Sequence, residues 1–328
     1  MNTQAKRSLT NVIIIGAGPI GLATAIELKQ RGIPATILDR GCLVNSIFHY
    51  PANMTFFSTS ERLEIGGIPF ISHGPKPTRG EALMYYRRVV THFDLDLRLY
   101  ETVEEVRGQE GNFEVQTNKT LHRGSIVVVA TGFYGQENRM NVPGEDRPKV
   151  RHYYKEAHPW AFQDVLVVGG GNSAVDVALE TWRAGAKVTM VVRYPEIKPS
   201  VKYWVRPDII NRIKLGEIEA YFESEVAEIR EEEVVISTPD GMKAIRNDVV
   251  FAMIGYHPHF EMMQTFGIDL TEDEVRMPVY DPGTLETNRP GVFVAGVVCG
   301  GMDTSSLFIE NSRVHAVQIA DAVSGKLG

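Results

Sequence analysis

Gly16-Ala17-Gly18-Pro19-Ile20-Gly21 follows the apolar run Val12–Ile15, and Gly169-Gly170-Gly171-Asn172-Ser173-Ala174 follows Val165–Val168. Each stretch joins a short apolar run to a helix-like one, the setting in which a glycine fingerprint binds a dinucleotide. The first glycine permits a tight turn off the strand, the second lets the backbone approach a pyrophosphate, and the third position must be small for helix and strand to pack. The helix N-terminus then presents free N–H groups and a positive dipole end to the phosphates. A lone fingerprint can be an ordinary turn. Two in different halves of one chain predict two nucleotides on one polypeptide, and electron transfer between them.

The residues beyond each fingerprint separate the two. After the first, a helix is predicted over 22–29, closed by Arg31-Gly32, and a strand over 35–38 ends in Asp39. An acid about 20 residues past the glycines binds a ribose hydroxyl pair. This predicts an adenosine ribose without a 2′-phosphate. After the second, the strand 187–192 runs into Arg193-Tyr194, with Lys198 close by and no carboxylate before Glu196. A cation there accommodates a 2′-phosphate, and the planar guanidinium suits phosphate geometry. The second site is thus read as one for NADPH, the alternative being that Arg193 is a solvated charge.

Working outward, residues 45–59 read as a loop rich in aromatic and small polar side chains, 81–93 as a helix and 97–100 as a strand. Residues 101–123 read as a β-meander, and 125–130 as a buried strand ending in Thr131-Gly132. The second half repeats the plan: a meander over 220–229 and 233–237, then 248–254 running into Gly255. A buried strand over 290–296 and an amphipathic helix over 310–323 return the chain to its first domain. The fold class expected is α/β: two Rossmann-like domains, each with a parallel sheet and a β-meander. The domain of the first fingerprint spans 1–148 and 258–328, and the NADPH domain, 149–257, is inserted within it.

The chain has 328 residues, 43% hydrophobic and 23% charged, ordinary for a globular protein of two domains. A net charge of −7 lends no electrostatic support to a nucleic-acid partner. No stretch is long and apolar enough to span a membrane, and the apolar run behind Lys6 and Arg7 reads as the first strand rather than a secretory signal. Two cysteines, Cys42 and Cys299, make no disulfide framework. A cytoplasmic location is expected.

Taken together these residues resemble the two-dinucleotide-binding flavoprotein superfamily, in the compact layout of low-molecular-weight thioredoxin reductases. The runs from Phe48 to Gly66 and from Val192 to Trp204 look like the YpdA family, described as bacillithiol disulfide or bacilliredoxin reductases. The resemblance implies FAD along Gly16, Gly18, Pro19, Ile20, Gly21, Asp39, Arg40, Asn45, Ser46, Thr131, Gly132, Gly296, Val297, Phe308 and Ile309. It implies NADPH along Gly169, Gly171, Asn172, Ser173, Ala174, Arg193, Tyr194, Lys198 and Gly255. The partner implied is a small thiol disulfide or a small redox protein, and the assembly a homodimer or higher homo-oligomer. No metal is implied.

The chain departs from its relatives in three places. Thioredoxin reductases carry CxxC ahead of the second fingerprint, where this chain has residues 152–159, His-Tyr-Tyr-Lys-Glu-Ala-His-Pro. YpdA-type members carry a cysteine inside the first fingerprint, where Ile20 stands. Superfamily relatives carry an aspartate after the glycine matching Gly296, where Val297 stands, leaving backbone groups or Asp303 to replace it. Cys299 is then the candidate thiol, or else a small buried apolar residue; Cys42 is read as incidental. His49, beside Tyr50, is a candidate proton donor near the flavin, or packing against it. His152 and His158 are read as linker residues or the border of a substrate entrance. The helix starting near Phe308 would turn its dipole toward the flavin. Three other functions stay open. One is a ferredoxin- or flavodoxin-NADP reductase, which also lacks CxxC. Another is a flavin monooxygenase, against which Arg139 stands where that family's fingerprint has histidine. The third is a non-enzymatic NADPH or redox sensor.

Overall fold

The computed structural model describes residues 11–327; the reading of Lys6 and Arg7 lies outside them. The first unit opens with β1 (Val12–Ile15), α1 (Pro19–Gln30) and β2 (Ala35–Asp39). A short helix α2 (Asn45–His49) follows, then α3 (Arg79–Phe93) and β3 (Asp96–Leu99). An antiparallel meander comes next: β4 (Val103–Gln109), β5 (Asn112–Thr117) and β6 (Leu121–Gly124). β7 (Ile126–Val129) returns the chain to the parallel sheet. The second unit contains β8 (Val150–Arg151), β9 (Asp164–Val168), α4 (Asn172–Arg183), β10 (Lys187–Val192), α5 (Arg206–Lys214) and β11 (Glu219–Phe222). Its own meander is β12 (Glu225–Ile229), β13 (Glu233–Thr238) and β14 (Gly241–Arg246), and β15 (Val249–Ala252) follows. The chain then supplies α6 (Phe260–Thr265), β16 (Val292–Val294) and α7 (Ile309–Leu327) to the first unit.

Each unit has a five-stranded parallel sheet, ordered β16-β7-β1-β2-β3 in the first and β11-β10-β9-β15-β8 in the second. β1 and β7 are buried along their whole length. Continuous β-branched runs of this kind are what a sheet covered on both faces demands. Local chemistry sets the helix ends. α1 starts with Gly18 as N-cap and Pro19 in the first turn, where a missing N–H costs nothing. α3 starts on a capping box between Thr78 and Glu81 and ends on Asp94 in the left-handed region.

Several expectations are corrected. α1 begins at Pro19, inside the fingerprint, rather than at residue 22. The expected loop over 45–59 opens with α2. Residues 219–222 belong not to the meander but to the edge of the parallel sheet, with Met190 opposite Ala220. The meander's third strand, β14, was not anticipated. The compact units divide at 136/137 and 256/257 rather than at 148/149 and 257/258, and residues 49–53 group with the second unit. The reason is packing: Met140, Val142 and Val150 lie against the apolar cluster of Val226, Ile229 and Ile236. In the same unit the Ala52 N–H donates to the Lys155 carbonyl (2.7 Å).

Candidate cofactor sites

The two fingerprints repeat one geometry. Gly16 N–H donates to the Leu38 carbonyl at 2.7 Å, and Gly169 N–H to the Val191 carbonyl at 2.9 Å. Both glycines have positive φ, +116° and +125°. A Cβ on Gly16 would lie 2.4 Å from the Ala130 oxygen, and one on Gly169 2.5 Å from the Met253 oxygen. Each first glycine is therefore pressed against chain leaving the neighbouring strand. At the third position a Cβ on Gly21 would lie 2.0 Å from the Gly16 oxygen, whereas the second unit accommodates a buried Ala174.

The middle glycines differ from these. Gly18 and Gly171 have negative φ, −77° and −94°, and a Cβ on either would meet nothing within 4 Å. Nothing inside the protein requires glycine at either place. Both residues cap a helix N-terminus and face open space, the property needed for a backbone that a pyrophosphate approaches.

In the first unit Asp39 closes the cradle. Its carboxylate accepts the Ala17 N–H (2.7 Å) and the Gly41 N–H (2.8 Å), leaving acceptor capacity on both oxygens for ribose hydroxyls. Burial pushes its carboxyl above the usual carboxylate range, against the pull of those two N–H groups. The following turn is tight. Val44 adopts φ +46°, costly for a β-branched residue, while its N–H donates to the Ala17 carbonyl (3.0 Å). Asn45 serves this turn, accepting from the Cys42 N–H (3.3 Å); Ser46 follows half-buried. Arg40 reaches back to the Gly135 carbonyl (3.4 Å).

Thr131 and Gly132 follow β7 beside Gly16, and the Thr131 hydroxyl is buried with no partner among the described residues. Gly296 packs on Ile20, and its N–H donates to His315 Nδ1 (3.1 Å). Val297 lies in the short turn Gly296–Gly300, while Asp303 closes its own loop by accepting from Ser305. Phe308 is exposed ahead of α7, which begins at Ile309. Glu310, in the first turn of α7, has a buried carboxylate oxygen with no partner among the described residues. Sequence reasoning missed Glu310, because an acid in a helix's first turn is also what the dipole favours. The cradle at Gly18 and the orphaned oxygens of Thr131 and Glu310 fit a flavin nucleotide, with donors and acceptors left to meet.

In the second unit Arg193 and Lys198 both lie over the Tyr194 ring, at 5.0 and 4.9 Å from its centre. Arg193 also donates to the Tyr194 hydroxyl (3.0 Å), which with the neighbouring cations holds that phenol below its usual range. Glu196 is paired with Arg206 (3.1 Å). Asn172 and Ser173 are exposed at the start of α4. Gly255 lies three residues past β15, with φ +100° and its carbonyl accepting from Asn138 N–H (3.0 Å).

The candidate reactive side chains fare differently. Cys299 is fully buried among Val298, Val294 and Phe260, and burial pushes its thiol up to about 12. A reactive thiol needs a low pKa and access, so Cys299 has the properties of a packed core residue. Cys42 is partly accessible, its thiol raised by burial and by the Asp39 charge. His49 is exposed at the end of α2 and groups with the second unit, not the first. His152 is largely buried, 3.7 Å from Glu145, and His158 opens a one-turn 3-10 helix. Replacing Cys299 with Ser puts a hydroxyl into this apolar cluster. Cys299→Ser should lower unfolding free energy by about 1–3 kcal/mol, and Cys42→Ser by no more than about 0.5 kcal/mol, as read by denaturant titration.

Two parallel-sheet units, each opening on a glycine fingerprint, define a two-dinucleotide-binding protein of thioredoxin-reductase-like fold. The family described as pyridine nucleotide-disulphide oxidoreductase matches residues 13–296, and the chain belongs to it. It is 44% identical to Bacilliredoxin reductase Bdr of Bacillus subtilis (strain 168), over 95% of this chain and 97% of that protein. The Bacillithiol Disulfide Reductase Bdr (YpdA) structure from Staphylococcus aureus matches with a TM-score of 0.94 at 42% identity, covering 97% of this chain and 99% of that one. Lactococcus lactis thioredoxin reductase, 20% identical, shares the fold with a TM-score of 0.76, over 96% of this chain and 98% of its own.

Proposed function

We propose that this protein is an NADPH-dependent flavin disulfide reductase, holding FAD on the first fingerprint and NADPH on the second. The observation that carries the reading is the pair of open glycines, Gly18 and Gly171, whose lack of a side chain serves nothing in the protein itself. The nature of the acceptor rests on the likeness to the Bdr proteins: a low-molecular-weight thiol disulfide or a small disulfide-bearing redox protein. In the balanced reaction one NADPH and one proton convert one disulfide into two thiols and NADP⁺.

The bound flavin supplies the two-electron chemistry. The chain's residues bind and orient. Asp39 takes the FAD ribose, the α1 N-terminus its pyrophosphate, and Thr131 and Glu310 offer unpaired oxygens. Arg193 and Lys198, neither paired with a carboxylate among the described residues, take the 2′-phosphate of NADPH beside Tyr194. Arg193→Ala should therefore weaken NADPH use far more than NADH use. Loss of one charged phosphate contact costs about 1.5–3 kcal/mol, or roughly 10- to 150-fold; steady-state kinetics with both nucleotides reads the difference. Equal losses would show that Arg193 reads no 2′-phosphate.

With Ile20 in the fingerprint and Cys299 buried, we assign disulfide reduction to the flavin directly, without a protein thiol relay. The double variant Cys42→Ser/Cys299→Ala should keep both flavin reduction by NADPH and disulfide turnover. Loss of turnover with flavin reduction intact would restore a cysteine to the mechanism. The same scarcity of accessible thiols favours a second reading, a ferredoxin- or flavodoxin-NADP reductase. One experiment separates them. The yellow holoprotein is reduced with NADPH and offered bacillithiol disulfide, an oxidised bacilliredoxin, and oxidised ferredoxin or flavodoxin. Turnover with a disulfide supports the proposal; turnover with ferredoxin or flavodoxin alone overturns it.

A further inference from the structure

Lys198 is a long side chain on a segment, 196–205, that contains no helix or strand. Something must hold this segment if Lys198 is to keep one position against Tyr194. Four contacts, all within the second unit, tie it to the fingerprint loop and to α4. Lys198 N–H donates to the Gly170 carbonyl (3.1 Å). Asn172, the first residue of α4, accepts the Lys202 N–H on its side-chain oxygen (2.8 Å) and donates to the Ser200 carbonyl (3.4 Å). Lys202 Nζ then reaches Asp176, one turn further along α4, at 2.7 Å. That ion pair is sheltered, its side chains 12% and 22% exposed.

We propose that the Asp176–Lys202 pair, with Asn172, is a positioning device that sets selectivity for a 2′-phosphorylated nucleotide without touching the nucleotide. It rests on the reading of Arg193 and Lys198 as the 2′-phosphate clamp. Two physical effects act through it. The pair pins the segment at Lys202, four residues past Lys198, so that the Lys198 ammonium is held in place rather than ordered anew on binding, which lowers the entropic cost of each encounter. It also neutralises Asp176, whose charge near the α4 N-terminus opposes any phosphate bound there. Only the first effect discriminates between nucleotides, because the 2′-phosphate is what Lys198 meets.

The test is calorimetric titration of the flavin-loaded protein with adenosine 2′,5′-bisphosphate and with adenosine 5′-monophosphate, ligands that differ only in the 2′-phosphate. The ratio of their affinities is the readout. In Lys202→Met and in Asp176→Asn that ratio should fall roughly tenfold, within the range of coupling between residues that share a network. Lys202→Arg, which can renew the pair, should restore it. In a Lys198→Met background, Lys202→Met should lower the ratio no further. Flavin content and melting temperature are followed for every variant, so that a misfolded protein is recognised and Lys202→Arg carries the comparison. A preference for the bisphosphate in the wild type that Lys202→Met leaves unchanged, or a loss additive to that of Lys198→Met, overturns the clasp alone. A wild type with no preference for the bisphosphate overturns the 2′-phosphate reading beneath it.

Discussion

Gly171→Ala is expected to yield a protein that folds, binds flavin and is bleached by NADPH far more slowly than the wild type. A methyl group here meets no atom within 4 Å, and the backbone at φ −94° is one any residue adopts. The folded protein therefore gains no clash, and its melting temperature should stay within the scatter of a surface substitution. The loss falls on the nucleotide, whose pyrophosphate must approach this backbone closely. A displacement of about 1 Å in a bound reactant costs on the order of 100-fold in rate, so stopped-flow flavin reduction should slow by at least that factor. A variant reduced as fast as the wild type would remove the second fingerprint from the nucleotide site.

Gly18→Ala is the counterpart in the first unit, with the opposite outcome. Its backbone is equally unstrained and its surroundings equally open. The variant should purify largely colourless, and added FAD should bind more weakly by the worth of one lost charge-assisted contact to the pyrophosphate, about 1.5–3 kcal/mol or roughly 10- to 150-fold, measured by quenching of flavin fluorescence. Full flavin occupancy after purification would count against the first fingerprint as the flavin site. Gly16 and Gly21 make a less clean comparison, because side chains there strike backbone at 2.4 and 2.0 Å and disturb the fold itself.

The fingerprints were legible in the sequence because their constraints are local: a tight turn, a helix start and a small third residue lie within six positions. Asp39 was legible for the same reason, one strand further on. What escaped was set by partners distant in sequence. Residues 219–222 have strand character, but whether they join a meander or a parallel sheet depends on β10, some 30 residues earlier. Residues 137–148 carry no mark of the unit they belong to; Met140 and Val142 settle it by packing on Val226 and Ile229. Lys202 and Asp176 are 26 positions apart and read singly as surface charges. Cys299 looked like a redox candidate because sequence places it near a cofactor and does not report its burial.

The long segment of the second unit, residues 137–256, leaves and re-enters the rest of the chain at nearly one point. Glu137 bridges Tyr256, and Asn138 N–H donates to the Gly255 carbonyl at 3.0 Å. Its two ends are therefore fastened to each other before either joins its host. A segment closed in this way can be spliced into a surface turn without prising that turn apart. For a gene, this makes residues 137–256 a cassette: one insertion delivers the second fingerprint with its sheet, all but the five residues 49–53 that group with them, and on the proposed reading exchanging it would change which electron donor is read.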